Sequence, residues 1–306
     1  MPQHKVKLIV NPNADMGQAW RKAADLRPVV DEFGGADWTG TVYPTHAIEL
    51  ARQAAEQGYE LVIAAGGDGT SHEVINGLMQ VPAERRPRMG TVPLGSGNDF
   101  SHAVGMNKHP GLAMRQIFTG KPRRIDIGRV ADEHGRTEFM DNTIGVGFDA
   151  TVTIRSHQLA NLRGFLMYFT AVLQTILFNH DAPMMHVQTD AESWEDEMIM
   201  LTVCNGPREG GGFLVAPEAR IDDGIYHYAA IRRISRPMML RLLPEVMNGT
   251  HGHFTKQVRT GQCKKLELKS EKPLVIHVDG EIYAGFGTDV RQISLELLPG
   301  ALEVMV

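Results

Sequence analysis

The alternation of strand-like and helix-like segments between residues 5 and 120 constrains the fold most. Buried strands are predicted at Lys5–Asn11, Tyr59–Ala65 and Thr91–Leu94, and helical patterns follow each of them. Strands that alternate with helices favour a parallel sheet with helices on both faces. Such sheets bind ligands at the carboxyl ends of their strands. The other elements predicted in this half are a helix at Gln18–Phe33 broken near Pro28, a short strand at Gly40–Tyr43, and helices at Ala47–Gln57, Ser71–Met79, Asp99–Val104 and Gly111–Phe118.

The pattern changes after Lys121, where short alternating strands become dominant. An amphipathic helix over residues 159–178 interrupts them, with Leu and Phe at helical spacing. The sequence therefore predicts an α/β domain over residues 1–128 and a β-rich domain over 129–306, and a return of the last residues to the first domain stays open. The predicted strands are Arg124–Val130, Met198–Cys204, Ile225–Ile231, Lys264–Leu268, Leu274–Val278 and Ser294–Leu297.

Composition narrows the class of protein. The 306 residues are 42% hydrophobic and 22% charged, which is ordinary for a globular protein with a core. The net charge of −5 argues against a nucleic-acid partner. Cys204 and Cys263 lie far apart, and we expect both to be reduced thiols. No signal-peptide pattern is visible, and the apolar stretch Gly164–Phe178 is too short to span a bilayer, so we expect a cytoplasmic protein whose membrane contact is peripheral.

The strongest local signal is the turn Gly66–Thr70 (GGDGT) between a buried strand and a helix. Glycines let the backbone approach a ligand, and the free amides of a helix N-terminus favour a phosphate. The turn contains no lysine, so it is not a Walker-type loop, and amides and a metal must handle the phosphate charge. Thr70 and Glu73 also have the spacing of a capping box, which is a structural explanation for both. For Asp68, between glycines at a strand end, a functional role is favoured.

A second glycine-rich turn, Pro93–Asp99 (PLGSGND), again follows a strand and precedes a helix. One such turn is a weak signal. Two on successive parallel strands are stronger, because both would lie at one sheet edge. Asp99 either caps its helix or contributes to the site, and its spacing leaves the two readings even.

Several motifs in this order resemble those of the diacylglycerol kinase catalytic-domain family. That family includes diacylglycerol, sphingosine and ceramide kinases and bacterial soluble lipid kinases. The resemblance covers nearly the whole chain. Its motifs are IVNPNA at 9–14, GGDGTSHEVINGL at 66–78, PLGSGNDF at 93–100, RRIDIGRV at 123–130, DNTIGVGFDATV at 141–152, APEARIDDG at 216–224 and DGE at 279–281.

The resemblance implies a Rossmann-like α/β domain that binds ATP and a β-sandwich-like domain, similar to NAD kinase, beside the lipid cleft. Asp68, Asp99 and Asp126 would organise magnesium and water near the phosphates. Ser96 stands where the family usually has threonine, and His102 stands where many members have arginine, which puts a phosphate contact from His102 in doubt. By match, the residues lining the nucleotide would be Asn11, Thr41, Gly66, Gly67, Asp68, Gly69, Thr70, Glu73 and Ser96.

The resemblance also implies that Asp279 is the general base that deprotonates the lipid hydroxyl, and Glu281 is the second candidate. A further metal site would use the Asp223 carboxylate and the carbonyls of Arg220 and Ile225. Phosphoryl transfer needs positioning, charge neutralisation and such a carboxylate. From the residues alone, however, Asp279-Gly280 is more typical of a hairpin turn. The family match favours catalysis.

Three functions are weighed: a lipid kinase, an NAD kinase-like enzyme, and a catalytically silent lipid- or nucleotide-binding regulator. The PLGSGND turn and the late DGE favour the lipid kinase over the NAD kinase. Retention of the acidic residues at 68, 99, 126 and 279 speaks against a silent regulator. The lipid, diacylglycerol-like or sphingoid-like, stays open, and so does association into a homodimer.

Three smaller signals are each assigned the simpler reading, and a fourth stays open. His251 and His253 are expected in a surface loop rather than a metal pair, and Arg85–Arg88 in a solvated loop rather than on anionic lipid. The stripe over 159–178 is expected to be core rather than cleft lining. Gly210–Gly212 is a lip of the lipid site or only a turn.

Overall fold

A computed structural model describes residues 5–15, 17–159, 162 and 164–306. The contacts within it divide the chain into two compact units. Unit 1 extends to Ile127 and includes Pro299–Val306, and unit 2 is Gly128–Leu298. The sequence-based division lies between residues 128 and 129.

Unit 1 is built on a parallel sheet. Its strands β1 (Val6–Val10), β2 (Asp37–Gly40), β3 (Leu61–Gly66) and β4 (Arg88–Pro93) lie in the order β4–β3–β1–β2. The end of β15 (Gln292–Met305) adds a further parallel strand through the pairing of Val304 with Met89. Because all these strands run the same way, their carboxyl ends lie at one edge. The prediction of a strand at Gly40–Tyr43 is wrong in position, because the observed strand β2 ends at Gly40, where the predicted strand begins.

Helices cover this sheet. Predicted helix Gln18–Phe33 is two separate helices, because Pro28 lacks the N–H of a helix interior and lies in the first turn of the second one. The buried residues of α3 are all alanine, and a Cβ on Gly77 of α4 would lie 2.2 Å from Ile48 O of α3, so small residues let these two helices approach closely. The helices are α1 (Ala19–Ala24), α2 (Arg27–Glu32), α3 (His46–Glu56), α4 (Asp68–Met79), α5 (Asp99–Ala103) and α6 (Pro110–Thr119), with a 3₁₀ turn at Ala83–Arg85.

Unit 2 consists mainly of antiparallel strands. One sheet has the order β14–β13–β7–β9–β10–β11, and β9 continues into a second sheet, β9–β8–β12–β15. The first half of β9 pairs with β8 and the second half with β7 and β10. The remaining strands are β5 (Pro122–Asp132), β6 (Thr137–Met140), β7 (Thr143–Gly147), β8 (Met184–Thr189), β9 (Ser193–Cys204), β10 (Tyr226–Arg232), β11 (Val258–Cys263), β12 (Lys265–Ser270), β13 (Ile276–Val278) and β14 (Glu281–Ala284).

Two hydrophobic clusters stabilise unit 2. One contains side chains of both sheets, including Tyr226, Leu266 and Ile276, which are fully buried. The other packs the helices α7 (Phe148–Gln158), α8 (Gly164–Phe178) and α9 (Arg236–Asn248) on the first sheet. A parallel α/β unit and an antiparallel sandwich-like unit are the predicted fold class.

The prediction that the leucine stripe of 159–178 is core holds for only part of the stripe. Leu159 and Phe169 pack against the buried cluster, whereas Leu166 and Leu177 are 57% and 61% exposed. Because apolar side chains lie on several sides of α8, the periodicity of its hydrophobic residues could not identify the buried face. None of the helices within the described residues is long and apolar enough to cross a membrane.

Two smaller predictions also need correction. His251 is buried rather than in a surface loop, because the 3₁₀ turn His251–His253 packs against α9 and β11. In the basic run, the Arg86 guanidinium donates to the carbonyls of Val81 and Ala301, so this side chain holds the fold together rather than being solvated.

Candidate active site

The carboxyl edge of the parallel sheet carries the first group of predicted residues. Asn11 follows β1, and its side-chain amide donates to Thr70 Oγ1 over 3.2 Å. Its backbone N–H donates to Ala65 O of β3. Thr41 follows β2 and donates its N–H to Val10 O. These bonds tie the ends of β1, β2 and β3 together at the start of α4.

The two glycine turns lie against each other at this edge. The Gly66 carbonyl accepts the N–H groups of Leu94 (2.8 Å) and Gly95 (3.1 Å). A Cβ on Gly95 would lie 2.4 Å from Gly67 Cα, and a Cβ on Gly97 would lie 2.8 Å from Asp68 Oδ2. No side chain fits at the contact of Gly95 with Gly67, so bare backbone is required there. We call the turns Gly66–Thr70 and Pro93–Asp99 together the glycine cradle.

Asn98 holds the second turn of the glycine cradle in shape. It has φ +56°, and its side chain both accepts from the Gly95 N–H (3.1 Å) and donates to the Gly95 carbonyl (2.8 Å). Ser96 lies exposed at the tip between these residues. The Ser96 hydroxyl, which is predicted to contact the nucleotide, therefore lies on a turn whose shape is fixed by its own hydrogen bonds.

Two carboxylates lie inside the glycine cradle. Asp68 is the first residue of α4, and its Oδ1 accepts the Phe100 N–H over 3.1 Å. Asp99 is the first residue of α5 and is buried. Burial, with the charge of Asp99 next in size, raises the pKa of the Asp68 carboxyl to about 7. Two buried carboxylates at close quarters need a proton or a cation between them, and their oxygens are the donors that Mg²⁺ prefers.

Asp126 is placed differently from the other two predicted metal residues. It is buried on β5, and its Oδ1 accepts the Gly300 N–H over 2.7 Å. Among the residues that the structure describes, Asp68, Asp99 and Asp126 do not offer three ligand atoms within 4.8 Å of one another. A direct three-carboxylate site for magnesium is therefore not formed by these residues, and their shared role stays a prediction.

Glu73 has a structural partner that the sequence did not indicate. Its two carboxylate oxygens accept the N–H groups of Thr45 (2.9 Å) and Ala47 (3.0 Å), which cap the N-terminus of α3. The capping box with Thr70 is wrong, because the N-cap of α4 is Gly67 and no side chain caps it. The close packing of α3 on α4 brings the N-terminus of α3 within reach of Glu73. Its contact with nucleotide stays a prediction.

Asp279 lies in unit 2, in the turn between β13 and β14. It has φ +51° and Gly280 has φ +86°, so the hairpin-turn interpretation holds for the backbone. The Asp279 carboxylate is 8% exposed and accepts the N–H groups of Asp141, Asn142 and Thr143, each at 2.9 Å. The side chain is thus fixed more firmly than a turn requires. Glu281 is exposed at the start of β14.

The predicted second metal site lies in a turn of unit 2. The Asp223 carboxylate is exposed and accepts the Ile225 N–H over 3.2 Å. The Arg220 guanidinium lies 3.6 Å from Asp222 Oδ1. These contacts account for the turn without a metal, so the site stays a prediction.

An apolar cavity of about 60 Å³ lies between the helices and the first sheet of unit 2. Ligand pockets have volumes of roughly 300–1,000 Å³, so a hydrocarbon chain would enter this cavity only if its walls moved apart. Three polar side chains line it: Asp149, Tyr168 and Glu209. We call it the apolar cavity, and its other lining residues are Phe148, Val152, Val172, Ile176, Ile199, Met200, Phe213, Ile231, Ile234, Met239, Leu242, Leu243 and Val246.

Two of these polar residues belong to a buried cluster that sequence reasoning missed. His277 Nε2 lies 3.2 Å from Asp149 Oδ2 and 3.9 Å from Glu209 Oε2. Burial favours the protonated form of Asp149, but the neighbouring His277 ring and the Thr202 hydroxyl hold the pKa of this carboxyl below its usual range. The available signal was a polar residue inside an apolar run, FDATV for Asp149 and VIHVD for His277.

Two hydroxyl groups also contact Asp149, and burial acts on its neighbours. Asp149 accepts the hydroxyls of Thr202 (3.0 Å) and Tyr168 (3.3 Å). Burial and the nearby carboxylates raise the pKa values of Tyr168 and Cys204 well above their usual range. Cys204 is therefore an inert thiol, as its position in the sequence predicted.

Known proteins match both halves of the chain. Residues 5–130 match the diacylglycerol kinase catalytic domain, and residues 142–306 match the YegS C-terminal NAD kinase β-sandwich-like domain. A probable lipid kinase of the YegS-like type from Chromohalobacter salexigens is 34% identical over 259 residues, which are 83% of this chain and 78% of that protein. The diacylglycerol kinase of Mycobacterium tuberculosis is 26% identical over 311 residues, covering 98% and 94%. A crystal structure of a diacylglycerol kinase from Bacillus anthracis shares the fold, with a TM-score of 0.73, 20% identity, and coverage of 99% and 96%.

These matches and the glycine cradle define an ATP-dependent kinase of the two-domain lipid kinase class. The chain belongs to the diacylglycerol kinase catalytic-domain family. The predicted family, fold class and enzyme class are confirmed. The roles of the individual site residues stay predictions.

Proposed function

We propose that this kinase transfers the γ-phosphate of ATP to the hydroxyl of a diacylglycerol-like or sphingoid-like lipid, with magnesium bound at the glycine cradle. The observation that carries this proposal is the pair of bare-glycine turns around Asp68 and Asp99. Backbone amides and a helix N-terminus there suit a phosphate, and paired carboxylates suit a divalent cation.

Unit 1 binds the nucleotide in this proposal. Gly66, Gly67 and Gly95 supply backbone that phosphate oxygens can approach, and Asn11 with Thr70 fixes the neighbouring strand end. Asp68 and Asp99, with Asp126 through water, are the residues that would hold magnesium. When bound, Mg²⁺ supplies charge neutralisation at the transferred phosphoryl group. The protein itself orients the phosphates and keeps the two carboxylates in place.

Unit 2 binds the lipid and supplies the base. Asp279 accepts the proton of the lipid hydroxyl as the hydroxyl oxygen attacks phosphorus and ADP leaves. Three backbone amides fix its carboxylate, which orients it and limits its motion. Glu281 is the alternative base, and its exposed position on β14 makes it the less constrained of the two.

The apolar cavity is the proposed site for the lipid chain. Its walls are almost entirely aliphatic and aromatic, which favours a hydrocarbon chain over a nicotinamide nucleotide. Phe213 follows the glycine run 210–212, where a Cβ on Gly210 would lie 2.6 Å from Tyr168. That contact supports the reading of Gly210–Gly212 as a wall of the lipid site.

The exposed side of α8 supports a peripheral contact with a membrane surface. The helix has no charged side chain. Its inward residues line the apolar cavity, while Leu166, Leu177 and Phe178 are exposed. Arg155 lies over the Phe178 ring at 5.7 Å, and such cations fit anionic head groups. The helix would lie in the interface without crossing it.

Transfer from labelled ATP tests the proposal. The purified protein with Mg²⁺ is given diacylglycerol, a sphingoid base and NAD in separate reactions. We expect a labelled product in the organic phase with a lipid and none with NAD. A labelled water-soluble NADP product would assign the chain to the NAD kinase type, and nucleotide binding without any transfer would make it a regulator.

A further inference from the structure

We propose that His277, supported by Asp149, is a positioning residue that holds the Asp279–Gly280 turn and thereby the predicted base. This inference rests on the proposed function for its catalytic consequence. Its structural part concerns unit 2 alone. No motif of the sequence singles out either residue for this role.

The first step is a direct contact between His277 and the turn. Gly280 donates its backbone N–H to His277 Nδ1 over 3.3 Å. Gly280 follows Asp279 directly, and both residues have positive φ, a conformation that strains an aspartate. A side-chain acceptor for the Gly280 amide therefore stabilises the strained part of the turn.

The second step fixes the tautomer of the ring. Because Nδ1 accepts a hydrogen bond, it carries no proton, and the ring proton is on Nε2. Nε2 is the nitrogen that faces the carboxylates of Asp149 and Glu209. A metal ligand would need the opposite arrangement, with the second nitrogen donating. Asp149 and Glu209 therefore orient the His277 ring, and the cluster is not a metal site.

The third step is the shape of the sheet behind the ring. Gly145 of β7 pairs with His277 on one side and with Thr202 on the other. A Cβ on Gly145 would lie 2.1 Å from Asp149 Oδ2 and 2.3 Å from His277 Nε2. The missing side chain opens a notch in the sheet, and the Asp149 carboxylate of α7 fills that notch against the ring.

Burial makes the arrangement rigid. His277 is 2% exposed and Asp149 is 4% exposed. The Nε2 contact with Asp149 does not have hydrogen-bond geometry, so it acts by attraction between the N–H dipole and the charge. The ring is held from one side by Asp149 and holds Gly280 on the other.

The geometry also connects the turn to the lipid site. Asp149, Tyr168 and Glu209 line the apolar cavity, and His277 lies directly behind Asp149. A chain that fills the cavity contacts the same carboxylate that supports the ring.

His277→Asn and His277→Gln form a matched pair for the test. The Asn amide is attached to the same γ carbon as ring Nδ1 and can accept the Gly280 N–H, whereas the Gln amide extends to the position of Nε2. We expect His277→Asn to keep kcat within about threefold of wild type and His277→Gln to lower it by roughly tenfold, the worth of one buried hydrogen bond, with the KM for ATP unchanged in both. Asp149→Asn should also lower kcat.

Hydrogen exchange at the Gly280 amide gives a readout that needs no catalysis. It should be slow in wild type and His277→Asn and fast in His277→Gln. Equal behaviour of the two variants, or fast exchange in wild type, would overturn the positioning role. If neither variant folds, nitrogen NMR of the wild-type ring decides, because a protonated Nδ1 is incompatible with the proposal. A wild type that phosphorylates no lipid would refute the proposed function and leave these two measurements valid.

Discussion

The glycine cradle of unit 1 and the apolar cavity of unit 2 are built in opposite ways. The cradle is backbone approaching backbone, at contacts such as Gly67 with Gly95 where no side chain fits. The cavity is made of side chains from three helices and a sheet, far apart in sequence. A site for a phosphate can use amides that every chain has, so only the glycines that expose them are specified. A site for hydrocarbon is specified by the shape of many side chains together.

The largest expected effect separates the base from the binding sites. Asp279→Asn should lower kcat by roughly 10²–10⁴-fold, because general base catalysis contributes about that much. The KM for ATP should stay near that of wild type, since unit 1 is untouched. Steady-state kinetics with the accepted lipid measures both.

Two further variants complete this comparison. Asp181→Asn, an exposed aspartate of unit 2 that pairs with Lys272, should behave as wild type. Glu281→Gln should retain most turnover. Loss of turnover in Glu281→Gln with activity kept in Asp279→Asn would transfer the role of base to Glu281.

Gly95→Ala tests whether the cradle depends on bare backbone. Its Cβ would lie 2.4 Å from Gly67 Cα, and overpacking of this kind costs about 1–3 kcal/mol, so ATP affinity should fall by roughly 10–100-fold. Calorimetric titration with an ATP analogue measures it. Gly111→Ala is the matched control, because its Cβ would meet His109 at an ordinary 3.5 Å. Equal affinities in the two variants would show that the turns do not hold the nucleotide.

Val172→Phe tests the apolar cavity by filling it. Val172 lines the cavity on α8, and the larger ring should lower kcat/KM for a long-chain lipid by about tenfold, as expected for a misfit of 1–3 kcal/mol. A short-chain analogue with the same head group serves as the control and should react as before. If both lipids lose activity equally, the cavity does not hold the chain.

Removal of the exposed side chains of α8 should weaken membrane contact. Leu177 and Phe178 are 61% and 71% exposed, so replacing both with serine removes apolar surface without opening the core. We expect roughly tenfold weaker partition onto vesicles containing anionic lipid, from about 1–2 kcal/mol of lost burial. Vesicle sedimentation measures this. Activity toward a detergent-dispersed lipid should be unchanged, and unchanged partition would exclude α8 as the membrane contact.

The smallest effect concerns pH and magnesium at Asp68. Its pKa of about 7 lies above the ordinary value of 3.8, so the folded protein holds a proton between these values that the unfolded chain releases. This carboxyl therefore stabilises the fold at low pH, and that contribution is lost as the pH rises through about 7. Mg²⁺ must displace the proton, so its affinity should be about tenfold weaker at pH 6 than at pH 8.

Thermal unfolding with and without Mg²⁺ at the two pH values measures this difference. The magnesium-induced rise in Tm should be larger at pH 8. Asp68→Asn should remove the difference between the two pH values. A magnesium effect that is equal at both values would place the metal away from Asp68.

The cradle could be predicted from sequence for a physical reason. Glycines at the ends of adjacent parallel strands have few explanations, and strand alternation fixes that both turns lie at one edge. The bounds of the strands were less certain: the second strand was predicted at Gly40–Tyr43 and lies at Asp37–Gly40. The tight contact of Gly67 with Gly95 could not be predicted, because the spacing of residues along the sequence does not give the distance between two turns.

The cavity and its polar cluster could not be predicted in the same way. Gly145, Thr202 and His277 become neighbours only through the pairing of three strands from distant parts of the chain. The exposed part of the α8 stripe was misassigned because apolar side chains lie on several sides of this helix, so hydrophobicity does not distinguish its buried face. Glu73 was misassigned because its partners, Thr45 and Ala47, belong to another helix.

The strand tail at Pro299–Val306 has a consequence for biosynthesis. It pairs with β4 through Val304, and Lys121 and Val306 exchange backbone hydrogen bonds in both directions. A ribosome must therefore translate all of unit 2 before the segment that completes the parallel sheet of unit 1 emerges. Until then, the nascent half exposes an unpaired edge at β4, a surface to which chaperones and other chains can bind.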